Sequence, residues 1–304
     1  MDDKKLLVQK IKELKKKKNA IILAHCYQGI EVDEVADFVG DSLYLSREAA
    51  KTDADIIVFA GVYFMAETAK ILSQFKKVLI PDKTAGCLMA DMINLEKIKE
   101  FKKKNPNIPV VCYVNSTAEV KAQCDICCTS ANAVNIVKSL NSKNVLFVPD
   151  KNLGNYVSSK IEDVNIICYD GYCPIHHDLT VDDIKNKKAF YPSAKVLIHP
   201  ECQKDVLKLA DYVGSTSGIM KYVGESKDNE FIIVTEIGVV ERLQRDYPDK
   251  KFIHISKNAI CDNMKKISLE DIYKSLNEEI YEIKIEENLI KSAIKPIEKM
   301  IAIN

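Results

Sequence analysis

One register of about 87 residues runs three times along this chain, and a repeat of that length dictates the architecture before any single motif is read. Segments 21–25, 110–115 and 196–201 read as strands that end in polar residues. Asp37, Asp125 and Asp211 follow, 88 and 86 residues apart. Five positions further on stand Ser42, Ser130 and Thr216, with the same two spacings. The apolar runs 56–60, 145–148 and 231–234 come next, with tips that begin at Gly61, Pro149 and Thr235. A last strand in each copy, 77–80, 165–168 and 251–254, leads to Cys87, Cys173 and Cys261, spaced by 86 and 88.

Between the strands lie stretches with helical spacing of apolar residues, such as 48–51, 65–74 and 131–140. Alternating strand and helix implies parallel sheets covered by helices on both faces. The fold class expected is therefore α/β: three homologous three-layer αβα units around a pseudo-threefold axis. Residues 1–86 with 262–304 make the first unit, 87–172 the second and 173–261 the third. The polar tips fall at the carboxyl ends of the strands, where open α/β sheets bind ligands, so they aim at one central active site. Ser42, Ser130 and Thr216 precede helices and are expected to cap them and offer anion sites. A basic amphipathic helix precedes the repeat. Ser268 and Asp271 have the spacing of a capping box, and an amphipathic helix over 286–301 closes the chain, returning over the first unit.

Lys plus Arg is 44 and Asp plus Glu is 44, so charge gives no case for nucleic acid or a membrane surface as partner. The run Lys15–Lys18 reads as a solvated helix end. Only Arg47, Arg242 and Arg245 are arginines, so an anionic substrate cannot rest on many guanidinium clamps. Secretory and membrane-spanning signals are missing, which points to the cytoplasm. There the ten cysteines are not a disulfide scaffold. Cys112 and Cys168 sit inside apolar strands and read as core, Cys26 is ambiguous at a strand tip, and Cys124, Cys127, Cys128 and Cys202 read as structural. Cys87, Cys173 and Cys261 escape that discount because their equivalence is geometrical: three copies around an axis bring them together. Three thiolates suit zinc or an iron–sulfur cluster. A cluster on three cysteines leaves one iron open to act as a Lewis acid. On the residues alone, a zinc site, a redox or oxygen sensor and an iron–sulfur dehydratase all stand.

Specific motifs narrow this. Ala24-His-Cys-Tyr-Gln28, Gly40-Asp-Ser42, Gly61-Val-Tyr-Phe-Met-Ala-Glu-Thr-Ala-Lys70 and Tyr113-Val-Asn-Ser-Thr-Ala-Glu-Val-Lys121 resemble the quinolinate synthase family. The likeness continues through Asp125-Ile-Cys-Cys-Thr-Ser-Ala-Asn132, Pro149-Asp-Lys-Asn-Leu-Gly154, Gly171-Tyr-Cys-Pro-Ile-His176 and His199-Pro-Glu-Cys202. It ends with Gly214-Ser-Thr216, Thr235-Glu-Ile-Gly238 and Cys261-Asp-Asn-Met264, so it covers nearly the whole chain in order. The resemblance implies condensation of iminoaspartate with dihydroxyacetone phosphate to quinolinate, with loss of phosphate and two waters, in NAD biosynthesis. This is transferase chemistry of class EC 2.5.1. It also implies one [4Fe–4S] cluster per chain on Cys87, Cys173 and Cys261, and an L-aspartate oxidase or aspartate dehydrogenase as supplier of the imine. Three positions depart from the family's usual pattern: Cys26 replaces Asn or Tyr, Tyr169 replaces Trp, and Met264 stands where some members carry a second cysteine.

Roles follow residue by residue from the resemblance. Tyr27 and Glu201 are the candidates for proton transfer, joined by Tyr113 and His199 as catalytic residues. Unperturbed Tyr and Glu side chains titrate near ~10 and ~4.3, so both would need tuning toward neutrality. His25, His199, Ser42, Ser130, Ser215 and Thr216 are expected to hold carboxylates and phosphate, with Glu201 beside them. Tyr113 and Asn115 orient the imine or a hydroxyl, and Lys151, Asn152, Thr235 and Glu236 close the ring. His176 reads as a support of the second cysteine and His177 as exposed.

Overall fold

A computed structural model describes residues 2–303. Its core is three four-stranded sheets in which every named pairing is parallel. The first holds β1 (Ala20–His25), β2 (Phe38–Gly40), β3 (Ile56–Ala60) and β4 (Lys77–Leu79). The second holds β5 (Val110–Tyr113), β6 (Ile126–Cys128), β7 (Asn144–Val148) and β8 (Asn165–Cys168). The third holds β9 (Lys195–Ile198), β10 (Tyr212–Val213), β11 (Glu230–Val234) and β12 (Lys251–His254). Spatial order is the same in all three: second, first, third, fourth strand of the copy. Helices flank each sheet, so the expected three αβα units are the fold.

The nine strands read from the sequence are those with apolar runs, because a parallel strand covered on both faces needs apolar side chains on both. The short strands β2, β6 and β10 carry no such signal. They have two or three residues each at a sheet edge, and β2 and β10 are only half-buried. The landmark aspartates act here. Asp37, Asp125 and Asp211 accept hydrogen bonds from the backbone N–H of Ile22, Val110 and Val196, at 2.7, 2.8 and 2.8 Å. Each also meets a lysine: Lys15, Lys102 or Lys195. Their recurrence is thus architectural, tying the start of an edge strand to the start of the central strand in every copy.

The cores are unevenly shared. One continuous apolar cluster runs from the first sheet (Leu23, Ile57) through the second (Val111, Phe147) to the closing helix Glu287–Ala302. The third sheet has cores of its own on its two faces, one around Ile198 and Val234, the other around Leu197 and Ile233. The tail divides. Helix Leu269–Glu278, opened by the Ser268/Asp271 capping box, packs on the N-terminal helix Asp2–Lys17 and the first sheet. The closing helix instead lies mainly on helix Ala118–Ala122 and β6, reaching the first unit through helices Tyr63–Leu72 and Ser42–Lys51. It seals the joint between two units because its apolar face, Ile290, Ala293, Ile297 and Met300, meets both. Lys15 and Lys18 are not a bare solvated end: they pair with Asp37 and Glu279. Among the described residues no helix is long and apolar enough to cross a membrane.

Candidate active site

The carboxyl ends of the three central strands converge on one cavity of about 300 Å³. At each exit, residues two apart share a face, which is the strand's own periodicity. The pairs so presented are His25 with Tyr27, Tyr113 with Asn115, and His199 with Glu201, and all six line the cavity. Ser42, Ser130 and Thr216 line it too, as do Cys87, Cys173 and Cys261. Ser215 does not. It caps helix Thr216–Glu225 by accepting from Gly218 N–H, and lines a separate outer cavity. The helix caps lie one step from where the sequence suggested. Asp41 caps helix Ser42–Lys51 and Ser215 caps its counterpart, so Ser42 and Thr216 are first helical residues, their hydroxyls free of the capping task.

The two tip imidazoles have a defined form. Tyr27 N–H donates to His25 Nδ1 at 3.1 Å, and Glu201 N–H to His199 Nδ1 at 3.4 Å. An accepting Nδ1 in a neutral ring places the proton on Nε2. Both rings are neutral: burial, aided by Arg242 and His199 around His25 and by His176 beside His199, lowers each to about 3. Each therefore offers one N–H donor suited to a carboxylate or phosphate oxygen. Asn115 adds an acceptor, since its buried Oδ1 has no partner in the protein.

One hydrogen-bonded chain crosses the site. Tyr27 Oη lies 3.1 Å from Thr216 Oγ1 and 3.0 Å from Thr235 Oγ1. Thr235 Oγ1 lies 2.9 Å from His176 Nε2, and His176 Nδ1 lies 2.7 Å from Glu201 Oε2. Tyr113 Oη donates to Glu201 Oε1 at 2.5 Å. The chain passes through residues of all three units. Tuning runs opposite to expectation. Burial and the Glu201 charge push both phenols above their ordinary range. Burial also opposes ionisation of Glu201, but the facing His176 and the Tyr113 hydroxyl favour the carboxylate, and the carboxyl lies below its ordinary value. At neutral pH the chain thus has proton donors at its phenol ends and an ionised acceptor, with an imidazole joining them.

The cysteines form a second wall. Cys87, Cys173 and Cys261 are half-buried free thiols. Cys87 is within electrostatic reach of Cys261, and Cys173 of Cys87. Burial raises all three, Cys87 to about 12. A set of three soft donors facing one cavity fits a thiophilic metal or an iron–sulfur cluster, and binding would displace their protons. Two of the three are braced alike. Asp150 accepts from Cys173 N–H at 3.0 Å while capping helix Lys151–Ser158. Glu236 accepts from Cys261 N–H at 3.4 Å while capping helix Ile237–Asp246. The first unit has no acid there, and helix Tyr63–Leu72 starts without a side-chain cap. The donor atoms of Cys173, His176 and Glu201 also lie within 4.8 Å of one another.

These arrangements can be set beside known proteins. A family model described as quinolinate synthetase A protein matches residues 9–302. The chain belongs to that family. It is similar to a quinolinate synthase of Alkaliphilus metalliredigens, 52% identical over 300 residues that cover 98% of each chain. It is similar to quinolinate synthase 2 of Methanosarcina acetivorans, 50% identical over all of this chain and 97% of the other. A quinolinate synthase of Clostridioides difficile is 47% identical over 298 residues, 98% of each chain.

In this member of the quinolinate synthetase A family, sequence reasoning underrated two residues. His176 lies in a short helix three positions after Cys173 at its N-cap, a same-face spacing that was legible. Its link to Thr235, 59 residues away, was not. Glu236 braces the Cys261 loop instead of lining the cavity, and Asn152 pairs with His177. Lys151 turns to Asp170 and the Tyr172 ring. Among the remaining cysteines Cys26, Cys112, Cys124, Cys127, Cys128 and Cys202 are buried. Cys168, expected in the core, is only half-buried because β8 is an edge strand.

Proposed function

We propose that this protein is a quinolinate synthase of NAD biosynthesis. It condenses iminoaspartate with dihydroxyacetone phosphate and releases phosphate and two waters, chemistry of class EC 2.5.1. The atoms balance without an oxidant or reductant, so the demands are Lewis acidity, proton transfer and anion binding. Cys87, Cys173 and Cys261 would hold one [4Fe–4S] cluster, which when bound supplies an iron with an open position as Lewis acid. His25 and His199 donate Nε2–H to substrate carboxylate or phosphate oxygens. The hydroxyls of Ser42 and Thr216 do the same at helix starts, where the dipole favours anions, and that of Ser130 does so from the turn before its helix. Asn115 accepts from the imine N–H or a substrate hydroxyl. Tyr27 and Tyr113 deliver protons from their Oη, and Glu201 receives one. Thr235 and His176 carry a proton between Tyr27 and Glu201. The imine would come from an L-aspartate oxidase or an aspartate dehydrogenase. Ten free thiols and an oxygen-sensitive cofactor suit the reducing cytoplasm.

What carries this reading is the placement of one cysteine per repeat on the same cavity as the Tyr27–Glu201 hydrogen-bond chain. Purification without oxygen should give about four iron and four sulfide per chain. Quinolinate should form from the two substrates, and Cys87→Ala should lose both cluster and turnover. A full cluster and full activity in that variant would overturn the ligand assignment. The grouping of Cys173, His176 and Glu201 favours a second reading, a single divalent ion held by those three. One metal per chain with no sulfide would establish it.

A further inference from the structure

The guanidinium of Arg242 is about 1% exposed and does not itself line the cavity, but lies directly behind it. It projects from helix Ile237–Asp246 of the third unit into the first. Its Nη1 donates to the carbonyl oxygens of Cys26 and Gln28, at 2.8 and 3.0 Å. These two carbonyls flank Tyr27 on either side. Nη2 pairs with Asp33 at 2.5 Å, and Asp33 in turn takes Arg245 at 2.7 Å. The same helix presses on the turn from a second point: a Cβ on Gly238 would stand 2.8 Å from Cys26 O, 2.8 Å from the Glu236 carboxylate and 3.0 Å from Tyr27 Cα.

We propose that Arg242 is a positioning residue. It fixes the Cys26–Gln28 turn, and thereby holds the Tyr27 hydroxyl between Thr216 and Thr235. Three points argue for this over a plain tie between units. The third unit keeps its own apolar cores, with Tyr27 of the first unit packed against one of them, so directional contacts such as these set how that ring is aligned. The two ends of the alignment are the two ends of the Tyr27 hydrogen bonds, since Thr216 and Thr235 belong to the third unit and Tyr27 to the first. A guanidinium alone has the fork to reach two carbonyls and a carboxylate at once, and a lysine ammonium would lose one set. Desolvating a cation this completely is costly, and four hydrogen-bonding contacts offset it while the buried Nε stays unpartnered among the described residues. The arginine scarcity noted in the sequence acquires a meaning: Arg242 and Arg245 converge on Asp33, and Arg47 donates to the carbonyls of Ile301 and Ile303.

The inference rests on the reading of Tyr27 as a proton donor, so its test has a readout that does not need turnover. 3-Fluorotyrosine placed at position 27 reports the phenol's surroundings by fluorine NMR. In Arg242→Lys the Tyr27 resonance should move, and kcat should fall about 10- to 100-fold while cluster absorbance stays and KM changes about twofold or less. Gly238→Ala, which pushes the same turn from its other contact, should do likewise. Arg245→Lys, which shares Asp33 but not the turn, should change none of these. Should Arg242→Lys fail to fold, Gly238→Ala and Asp33→Asn are read by the same criteria. Wild-type kcat in the variants, or a loss of kcat with the Tyr27 resonance unmoved, overturns the proposal. If the wild-type protein makes no quinolinate, the functional reading falls, while the resonance shifts still decide whether Arg242 positions Tyr27.

Discussion

Tyr27 and Glu201 are displaced from neutrality in opposite directions, so neither can both give and take a proton near pH 7 by itself. His176 resolves this by touching both partners of the chain, directly at Glu201 and through Thr235 at Tyr27. His176→Gln should therefore lower kcat by about 10²-fold or more with little change in KM. Steady-state quinolinate formation at constant iron content measures it. The buried histidines also set how stability depends on pH. His25 and His199 take up protons only near pH 3 when folded but near 6.5 when unfolded. As pH falls below about 6.5 the unfolded chain gains two protons that the folded one refuses. Asp150, raised to about 8 by burial and the Glu201 charge, is protonated when folded and ionised when unfolded, which offsets one of the two. Above pH 6.5 only the Asp150 term remains, and its sign is reversed. For these three groups stability peaks near pH 6.5 and falls by about 1.4 kcal/mol per unit on either side. Urea midpoints of the metal-free protein between pH 5 and 8 test this, and His199→Gln should flatten the acid side. The tip residues themselves were legible, since they sit at fixed positions after apolar runs. Their protonation was not, because it depends on burial and on charges from other units.

At the scale of elements, recurrence in the sequence had two meanings that only distances could separate. Asp37, Asp125 and Asp211 recur because each anchors an edge strand to a central one. Asp125→Ala should lower stability by about 1 kcal/mol, since a half-exposed hydrogen bond and ion pair are lost, and leave turnover per folded molecule unchanged. A denaturation curve beside an activity assay checks both halves. Cys87, Cys173 and Cys261 recur because they face one cavity. The strands that the sequence revealed are those that bury apolar runs. The edge strands β2, β6 and β10 are too short to leave a pattern, and the hydroxyls that recur with them are first helical residues or cavity residues more than caps.

For the whole molecule the relevant fact is that every sheet has extensive apolar packing beyond what Cys87, Cys173 and Cys261 contribute. The shared cluster of the first two units and the separate cores of the third account for the buried strands. Removing the metal should then leave secondary structure in place, unlike a zinc finger that unfolds without its ion. Chelation should lower the thermal midpoint without loss of far-ultraviolet circular dichroism. Cores that are unevenly shared also locate the softest joint, between the third unit and the rest. Polar contacts span it beside the packing of Tyr27 on the third unit's core: Tyr27 with the two threonines, Tyr113 with Glu201, and Arg242 with Asp33 and the Tyr27 turn.

The sequence by itself determined the triplication, the parallel sheets and which three of the ten cysteines recur in register. Those rest on periodicity along the chain, which survives without coordinates. Tertiary structure alone decided which proton carriers touch, how burial shifts them, and what a buried arginine holds. Each of these depends on residues from different repeats meeting across the axis, and no spacing within one repeat encodes such a meeting.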